Sequence, residues 1–410
     1  MANANAGAFA VRDQSTYGQG SAYAGIAAGG ALSSMFWNAA TITQLPGSRA
    51  EMSLFGFLPY AANSPNSTSS LVALGGTGNS FLDAVLPSSH ASWQISSSLW
   101  IGLSVTAPFA SAVTFPDMWA GRNYALSSNF KSYNFTPTFA YRFNDWLSIG
   151  LGVQVQYAST SLNTGIGGTP GAISSLNGSG WGYGWTAGVT ITPSPNTQVG
   201  LGWRSAIDQK ISGTFSLPSG ALFSPPFSTP GSVSGTLNLP DIVSFGIRQR
   251  LTKQLTALGT IEWSNWSRIG TTIVMQPSGS PALLGTGAVN LPFQYRDGWY
   301  YSVGLEYQLN EAINLRGGIG YDRTPITDQV RIPLLPGNDY ISLSLGASAK
   351  LNQKIQLDVA YSHIFVKSTP IDISPTSGNP WFSPLAPISY VGTVSSRGDI
   401  VSVAFTYRWK

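Results

Sequence analysis

The chain has 410 residues, but only 9% of them are Asp, Glu, Lys or Arg, against roughly a quarter in soluble domains. Mean hydropathy is +0.07, which excludes a bundle of apolar membrane helices, and the formal net charge of +4 carries no Lys/Arg cluster of the kind that binds nucleic acid. With no cysteine there is no disulfide framework, thiolate metal site or cysteine nucleophile.

What remains is a chain rich in Gly (46), Tyr (17), Phe (19) and Trp (13) yet neutral in hydropathy. A membrane β-barrel has this composition, because lipid-facing apolar residues alternate with polar lumen residues. A secreted β-sandwich or β-solenoid is the soluble alternative on composition alone.

From the N-terminus, "MANANAGAFAVRDQ" lacks a basic start followed by an apolar core, so it reads as a mature N-terminus behind an added Met1. Residues 1–47 are rich in Gly, Ala and Ser, with scattered bulky residues such as Phe9, Tyr17, Tyr23, Phe36 and Trp37. The rest, 48–410, alternates. Strands are expected over 48–60, 85–96, 98–107, 128–143, 146–159, 181–192, 197–213, 236–250, 254–270, 295–309, 312–324, 339–351, 354–367 and 394–409. In "WLSIGLGVQVQYAS", Leu147, Ile149, Leu151, Val153, Val155 and Tyr157 share one face. The stretches 20–37 and 99–116 lack charge but read as coil and strand: the first is rich in Gly and Ser, and the second alternates up to Pro108.

The connections alternate as well. Asn144-Asp145, Ser194-Pro195-Asn196, Thr252-Lys253, Asn310-Glu311 and Asn352-Gln353 are turn residues. Between them lie long Gly/Pro/Ser-rich connections over 61–84, 108–127, 160–180, 214–235, 271–294, 325–338 and 368–393. Tight turns at one end and long loops at the other are the pattern of bacterial outer-membrane barrels, here with fourteen antiparallel strands. The terminal "VSVAFTYRWK" puts Val401, Val403, Phe405, Tyr407 and Trp409 on one face. It is expected to pair with the first strand, close the sheet and turn that face to lipid. A lumen this wide is not filled by strand side chains, so residues 1–47 are expected to form a plug inside it.

Several residues are candidates for function. Gly102 and Pro108, with Phe109 next to it, mark a bend in the third strand, since proline cannot donate to a ladder; the plainer reading is that Pro108 only begins the next loop. The loop residues Leu162, Ile166, Ile173 and Leu176, and Phe215, Leu217, Leu222, Phe223 and Phe227, form apolar clusters that suit capture of an apolar molecule; packing of the loops over the mouth is the competing account. Alternation turns Arg142, Arg204, Arg248, Glu262, Glu306, Arg316, Asp322, Asp358 and Arg408 inward, because an arginine facing lipid costs roughly 2–4 kcal/mol near the midplane. Glu306 and Arg316 flank one turn and can pair directly. An ion-pair network holding the plug explains these charges better than a cargo site does, although an arginine near a pocket can hold a carboxylate in a bidentate grip. The two histidines, His90 and His363, have no Ser–His arrangement for hydrolysis, and no metal or cofactor site is expected.

The N-terminal "STYGQGSAYAG" and "FWNAATITQLPG", with Asn38, Ala39 and Ala40 in place of an Asn-Pro-Ala motif, are similar to the plug of the long-chain fatty acid transporter (FadL) family. The departure is Ala39 for proline. "GLSVTAPFASAVTFPDMWAGRNYAL", "LPDIVSFGIRQRLTKQLTALGTIEWSNWSRI" and "LRGGIGYDRTPITDQVRIPLLPGNDYISLSLG" follow in the family's order, so the resemblance covers nearly the whole chain. It implies a fourteen-stranded barrel with an N-terminal hatch that includes Phe36, Trp37 and Asn38, and a hydrophobic cargo: a long-chain fatty acid or an aromatic hydrocarbon. It further implies capture between the third and fourth long loops and lateral exit at a kinked third strand, beside residues 100–110 and facing the hatch near Asn38. Outer-membrane lipid or lipopolysaccharide is the expected surrounding partner, and a monomer the expected state. A diffusion porin is the rival reading.

Overall fold

The computed structural model describes residues 7–218, 231–275, 288–384 and 387–409. Among the described residues twenty ladder segments make fourteen crossings of one closed antiparallel sheet, six of them interrupted. The crossings are β1 (Arg49–Pro65), β2 (Ala84–Gln94), β3 (Leu99–Thr106 and Ala110–Thr114), β4 (Ser127–Arg142), β5 (Leu147–Gly165), β6 (Ile173–Ser194) and β7 (Thr197–Arg204 and Ile207–Ser216). They continue as β8 (Gly231–Leu239 and Ile242–Arg250), β9 (Leu255–Ser264 and Thr271–Met275), β10 (Ala288–Pro292 and Gly298–Gln308), β11 (Ile313–Arg323), β12 (Tyr340–Lys350), β13 (Ile355–Val366 and Thr369–Ile373) and β14 (Tyr390–Arg408). Among the described residues no helix is long and apolar enough to cross a membrane, and the strands do the spanning.

β14 closes on β1 from Arg49↔Arg408 to Pro65↔Gly392, which removes both sheet edges. Its Val401, Val403, Phe405 and Tyr407 are exposed on the outer wall, while Ser402 and Ala404 are buried inside. Tyr407 stacks on Trp409, which also meets Trp93, at the short-turn end. Towards the other end, four outward aromatic groups donate to aspartates on neighbouring elements: Trp203 to Asp241, Trp263 to Asp297, Tyr321 to Asp339 and Tyr361 to Asp399. The two sets bracket an apolar band, as interfacial girdles do.

At the short turns, Asn144, Asn310 and Asn352 each accept two backbone N–H bonds with Oδ1, and Thr252 does the same with Oγ1. At the other end the strands run further than hydrophobic alternation indicated. β5 reaches Gly165 and β6 begins at Ile173, so most of 160–180 is a ladder and not a loop. In "STSLNTG" and "SSLNGSG" every residue but Leu162 and Leu176 is small or polar, so the alternation fades although the backbone bonds persist.

Residues 15–44 fold as short helices and turns against inward-facing strand residues. Glycines make the approach possible: a Cβ on Gly188, Gly200 or Gly202 would lie 1.9, 1.9 and 1.8 Å from Asn38 Oδ1, Ala27 O and Trp37 O. Asn38 is fully buried. It caps the Ala39–Gln44 turn through Ala40 N and donates to Ala27 O and Val189 O, tying this segment to β6.

Candidate transport site

Above this filled half lies an apolar cavity of about 110 Å³. Among the described residues its walls come from β3–β10 and from Ile332, Leu334, Leu335 and Trp381 beyond them, with Leu162, Leu176, Ile211 and Val274 prominent, and Phe9 and Phe130 among the lining. Leu176 packs with Phe215, Leu217, Val233 and Val274, and Ile166 leans on the same cluster. Ile173 joins a separate cluster around Trp119 and Tyr390. The structure therefore brings Leu162, Leu176, Phe215 and Leu217 to the cavity and its walls, and sets Ile173 apart. Leu222, Phe223 and Phe227 lie outside the described residues.

The mouth is stapled by Arg122. Its side chain is buried, pairs with Asp117 (2.8 Å) and donates to Ile166 O and Gly167 O. The Gly171 N–H, with Arg122, holds the Asp117 carboxyl below its usual pKa.

Beside the cavity the wall is unpaired. β2 and β3 pair from Gln94↔Trp100 to Ser89↔Val105, and a single bridge follows at Phe81↔Val113. Both belong to one register, since each lies eight residues beyond the other on its own strand. Between them the ladder parts, and the facing edges carry Pro87 and Pro108, neither of which has an N–H to donate. Pro108 therefore sits at the break. Gly102 does not: it keeps its partner Ser92, and a Cβ there would lie 2.7 Å from Met35 Cε, so its role in the wall is to admit the N-terminal segment.

An N-terminal arm fills the inside of this window. Val11 N bonds Pro108 O (2.8 Å), Ala110 N bonds Phe9 O (2.9 Å), and Ala10 bridges Phe109. Phe109 is tied to β4 through the Ser132 hydroxyl. The Phe9 ring meets Phe109, Phe130 and Trp266 edge-on at 6.1, 5.3 and 4.9 Å, between cavity and window. Gln14 bridges the foot of the opening: its Nε2 donates to Ala107 O, and its carbonyl meets the Ser88 hydroxyl and the His90 ring. Behind the window Val11, Phe55, Phe57, Leu86, Ala110 and Ile400 form an apolar bed. Asn38 is not part of this site. It sits against β6, so the expectation that the gap faces Asn38 is corrected: residues 9–14 face it instead.

The charges anchor the arm and the turns below it. Arg12 pairs with Glu262 (2.9 Å) and Asp322 (2.8 Å) and lies over the Tyr300 ring. Glu306 and Arg316 are direct cross-strand partners, 3.8 Å apart. Arg248 pairs with Glu306, Arg316 also pairs with Asp358, and Tyr17 bonds Glu306. Arg142 donates to Thr43 O over the Trp100 ring, and Arg204 is buried among neutral acceptors. Arg408 has the lumen parity but stands exposed at the short-turn rim beside Arg49, where the strand runs out of the barrel. His363 faces outward and bonds Asp399, while Ser362 faces inward.

Sequence reasoning missed Phe9, Arg12, Gln14 and Pro87. One signal was present: Arg12 and Asp13 are the only charged residues before Arg49.

Three comparisons bear on this architecture. Over 98% of its length the chain resembles a solved Pseudomonas aeruginosa FadL homologue (TM-score 0.86, 21% identity, all of that chain covered). It resembles the Ralstonia pickettii toluene transporter TbuX over the same share (TM-score 0.72, 18% identity, all of that chain covered). A long-chain fatty acid transport protein of Salmonella typhi is 26% identical over 73% of this chain and 74% of its own. The family model described as "Outer membrane protein transport protein (OMPP1/FadL/TodX)" matches residues 1–409, and the chain belongs to that family of the outer membrane.

Proposed function

We propose that this protein takes up hydrophobic compounds across the outer membrane by lateral transfer. Cargo is captured by the apolar loop residues, including Leu222, Phe223 and Phe227, and enters the cavity lined by Leu162 and Leu176. Displacement of the Phe9–Gln14 arm connects the cavity to the β2–β3 window, and residues 1–47 act as the hatch that keeps the lumen closed. The observation that carries this reading is the juxtaposition of an apolar cavity and an unpaired stretch of wall, with one aromatic ring between them.

Physical chemistry favours a sideways route. An apolar molecule released into water loses roughly 0.8 kcal/mol per CH₂, whereas one passed into the bilayer does not. The protein works as a monomer in lipopolysaccharide-containing membrane, and its cargo is a fatty acid or an aromatic hydrocarbon. A porin would need an open aqueous path, and the buried segment 15–44 argues against one.

The test is uptake of labelled palmitate and toluene by cells that depend on this protein, together with conductance of the purified barrel. Leu176→Asp puts a charge in the cavity and should lower uptake at least tenfold. Unchanged uptake with large stable channel steps would favour the porin.

A further inference from the structure

The short-turn rim carries positive charge that the transport route does not use. Arg49 opens β1, Arg408 ends β14, Lys350 ends β12 and Lys354 lies in the turn into β13, so the cations cluster around one end of the closing seam. They line a single concave pocket of about 660 Å³, and Trp409 lines it with them. Among the described residues no aspartate or glutamate belongs to this lining.

The cations oppose one another. Arg49 and Arg408 are direct cross-strand partners, and like charges placed opposite each other in a ladder repel. Arg408 N bonds Lys354 O (2.8 Å), which brings a third cationic residue to the same place. Arg49, Lys350 and Lys354 enter no ion pair among the described residues. Arg49 Nη2 donates to Pro46 O (3.3 Å), and its Nε is buried without a partner. The nearest carboxylates on these strands are engaged deeper in the barrel: Glu51 accepts from Ser33 N (3.1 Å), and Asp358 pairs with Arg316 (3.3 Å). Glu311, on the turn beside Lys350, forms no ion pair with it.

Further round the rim the chain supplies its own anion. A second pocket, lined by Arg248, Arg250 and Lys253, also contains Glu306, which pairs with Arg248 (3.0 Å). At the closing seam the anion has to come from outside, and the surroundings indicate its source. Trp409 stacks on Tyr407 in the aromatic band at the short-turn boundary of the apolar wall. Short turns of an outer-membrane barrel face the periplasm, and aromatic belts lie at headgroup level. The phosphates of the periplasmic phospholipid leaflet therefore come to the height of these cations.

We infer that Arg49, Lys350, Lys354 and Arg408 hold the phosphate of an anionic phospholipid from the periplasmic leaflet, at the seam where the first and last strands meet. The guanidinium groups offer planar pairs of N–H donors to phosphate oxygens, and the lysines add point charges. The bound phosphate offsets the repulsion between Arg49 and Arg408, and the acyl chains run along the outer wall past the exposed Phe405. Lipid thereby pins the seam that closes the barrel. Nothing in this site depends on the cargo. An acidic segment of a periplasmic protein would match the charge but would make no use of the neighbouring aromatic band.

The test is native mass spectrometry of the purified full chain, released from neutral detergent that contains equal amounts of phosphatidylglycerol and phosphatidylcholine with the same acyl chains. The wild type should retain phosphatidylglycerol about tenfold more than phosphatidylcholine. Lys350→Gln and Lys354→Gln alter exposed side chains, and each should cut this preference roughly threefold; the double variant should abolish it. Arg250→Gln, further round the rim, should leave it unchanged. Phosphatidylglycerol should also raise the melting temperature of the wild type and not that of the double variant. Equal retention of the two lipids, or a preference that the double variant keeps, overturns the inference. So does inorganic phosphate that stabilises the wild type as much as the lipid does, since an anion alone then fills the site. Tighter retention of an oligoglutamate peptide than of phosphatidylglycerol would likewise overturn it, by assigning the pocket to an acidic protein segment.

Discussion

Two seams of this barrel are made of similar strands and behave differently. The β14–β1 seam is paired along its whole length, Arg49 to Pro65, and its inner face is lined by small residues such as Ser53 and Ala404. The β2–β3 seam starts as regularly at the short-turn end and then parts for a stretch without losing register. The difference lies in local chemistry. Prolines stand on both facing edges of the second seam, and the freed carbonyl and N–H groups are taken up by Val11 and Phe9 from inside. A membrane wall tolerates unpaired backbone only where protein covers it. The arm supplies that cover, so on the proposed lateral route the window opens only when the arm moves.

The largest effect should come from closing the open seam. Ala84 and Ala110 face each other in register across the window, and the chain has no cysteine of its own. The double variant Ala84→Cys/Ala110→Cys should lose uptake when oxidised and recover it on reduction. Ser53→Cys/Ala404→Cys, which joins partners of the closed seam, should transport normally in both states. Equal behaviour of the two pairs would remove the functional distinction between the seams.

A smaller effect is expected from loosening the cover. Phe9→Ala removes a ring packed on three others, a loss of about 3–5 kcal/mol of local stability for a buried phenylalanine. It should raise entry of apolar dyes in whole cells without blocking assembly, read as heat-modifiable migration on a gel. A variant as tight as the wild type would show that the ring is not the seal.

The smallest effect should come from the mouth. Asp117 is largely exposed, so its pair with Arg122 contributes at most about 1 kcal/mol. Its folded pKa is depressed, so the stabilisation is present above about pH 4 and is lost as the pH falls through the lower folded value. Asp117→Asn should lower the melting temperature slightly at pH 7, and the difference from wild type should vanish near pH 2.

Alternating residues in "VSVAFTYRWK" and its counterparts were enough to read the wall, its strand number, its closure and the inward turn of Glu306, Arg316, Asp322 and Asp358. The reason is that lipid and lumen sort side chains with a period of two, and this sorting is local. Sequence alone also singled out Pro108. It could not say that Gly102 is ordinary ladder, that β5 and β6 run on through 160–180, or that Asn38 belongs to β6 and not to the gap. Nor could it bring Phe9 to Phe109, Gln14 to His90, or leave Arg204 without a carboxylate. Those outcomes depend on where a segment with almost no charge and no regular period comes to rest inside a closed sheet. That placement follows from long-range packing against glycines on five or more strands, and no local pattern encodes it.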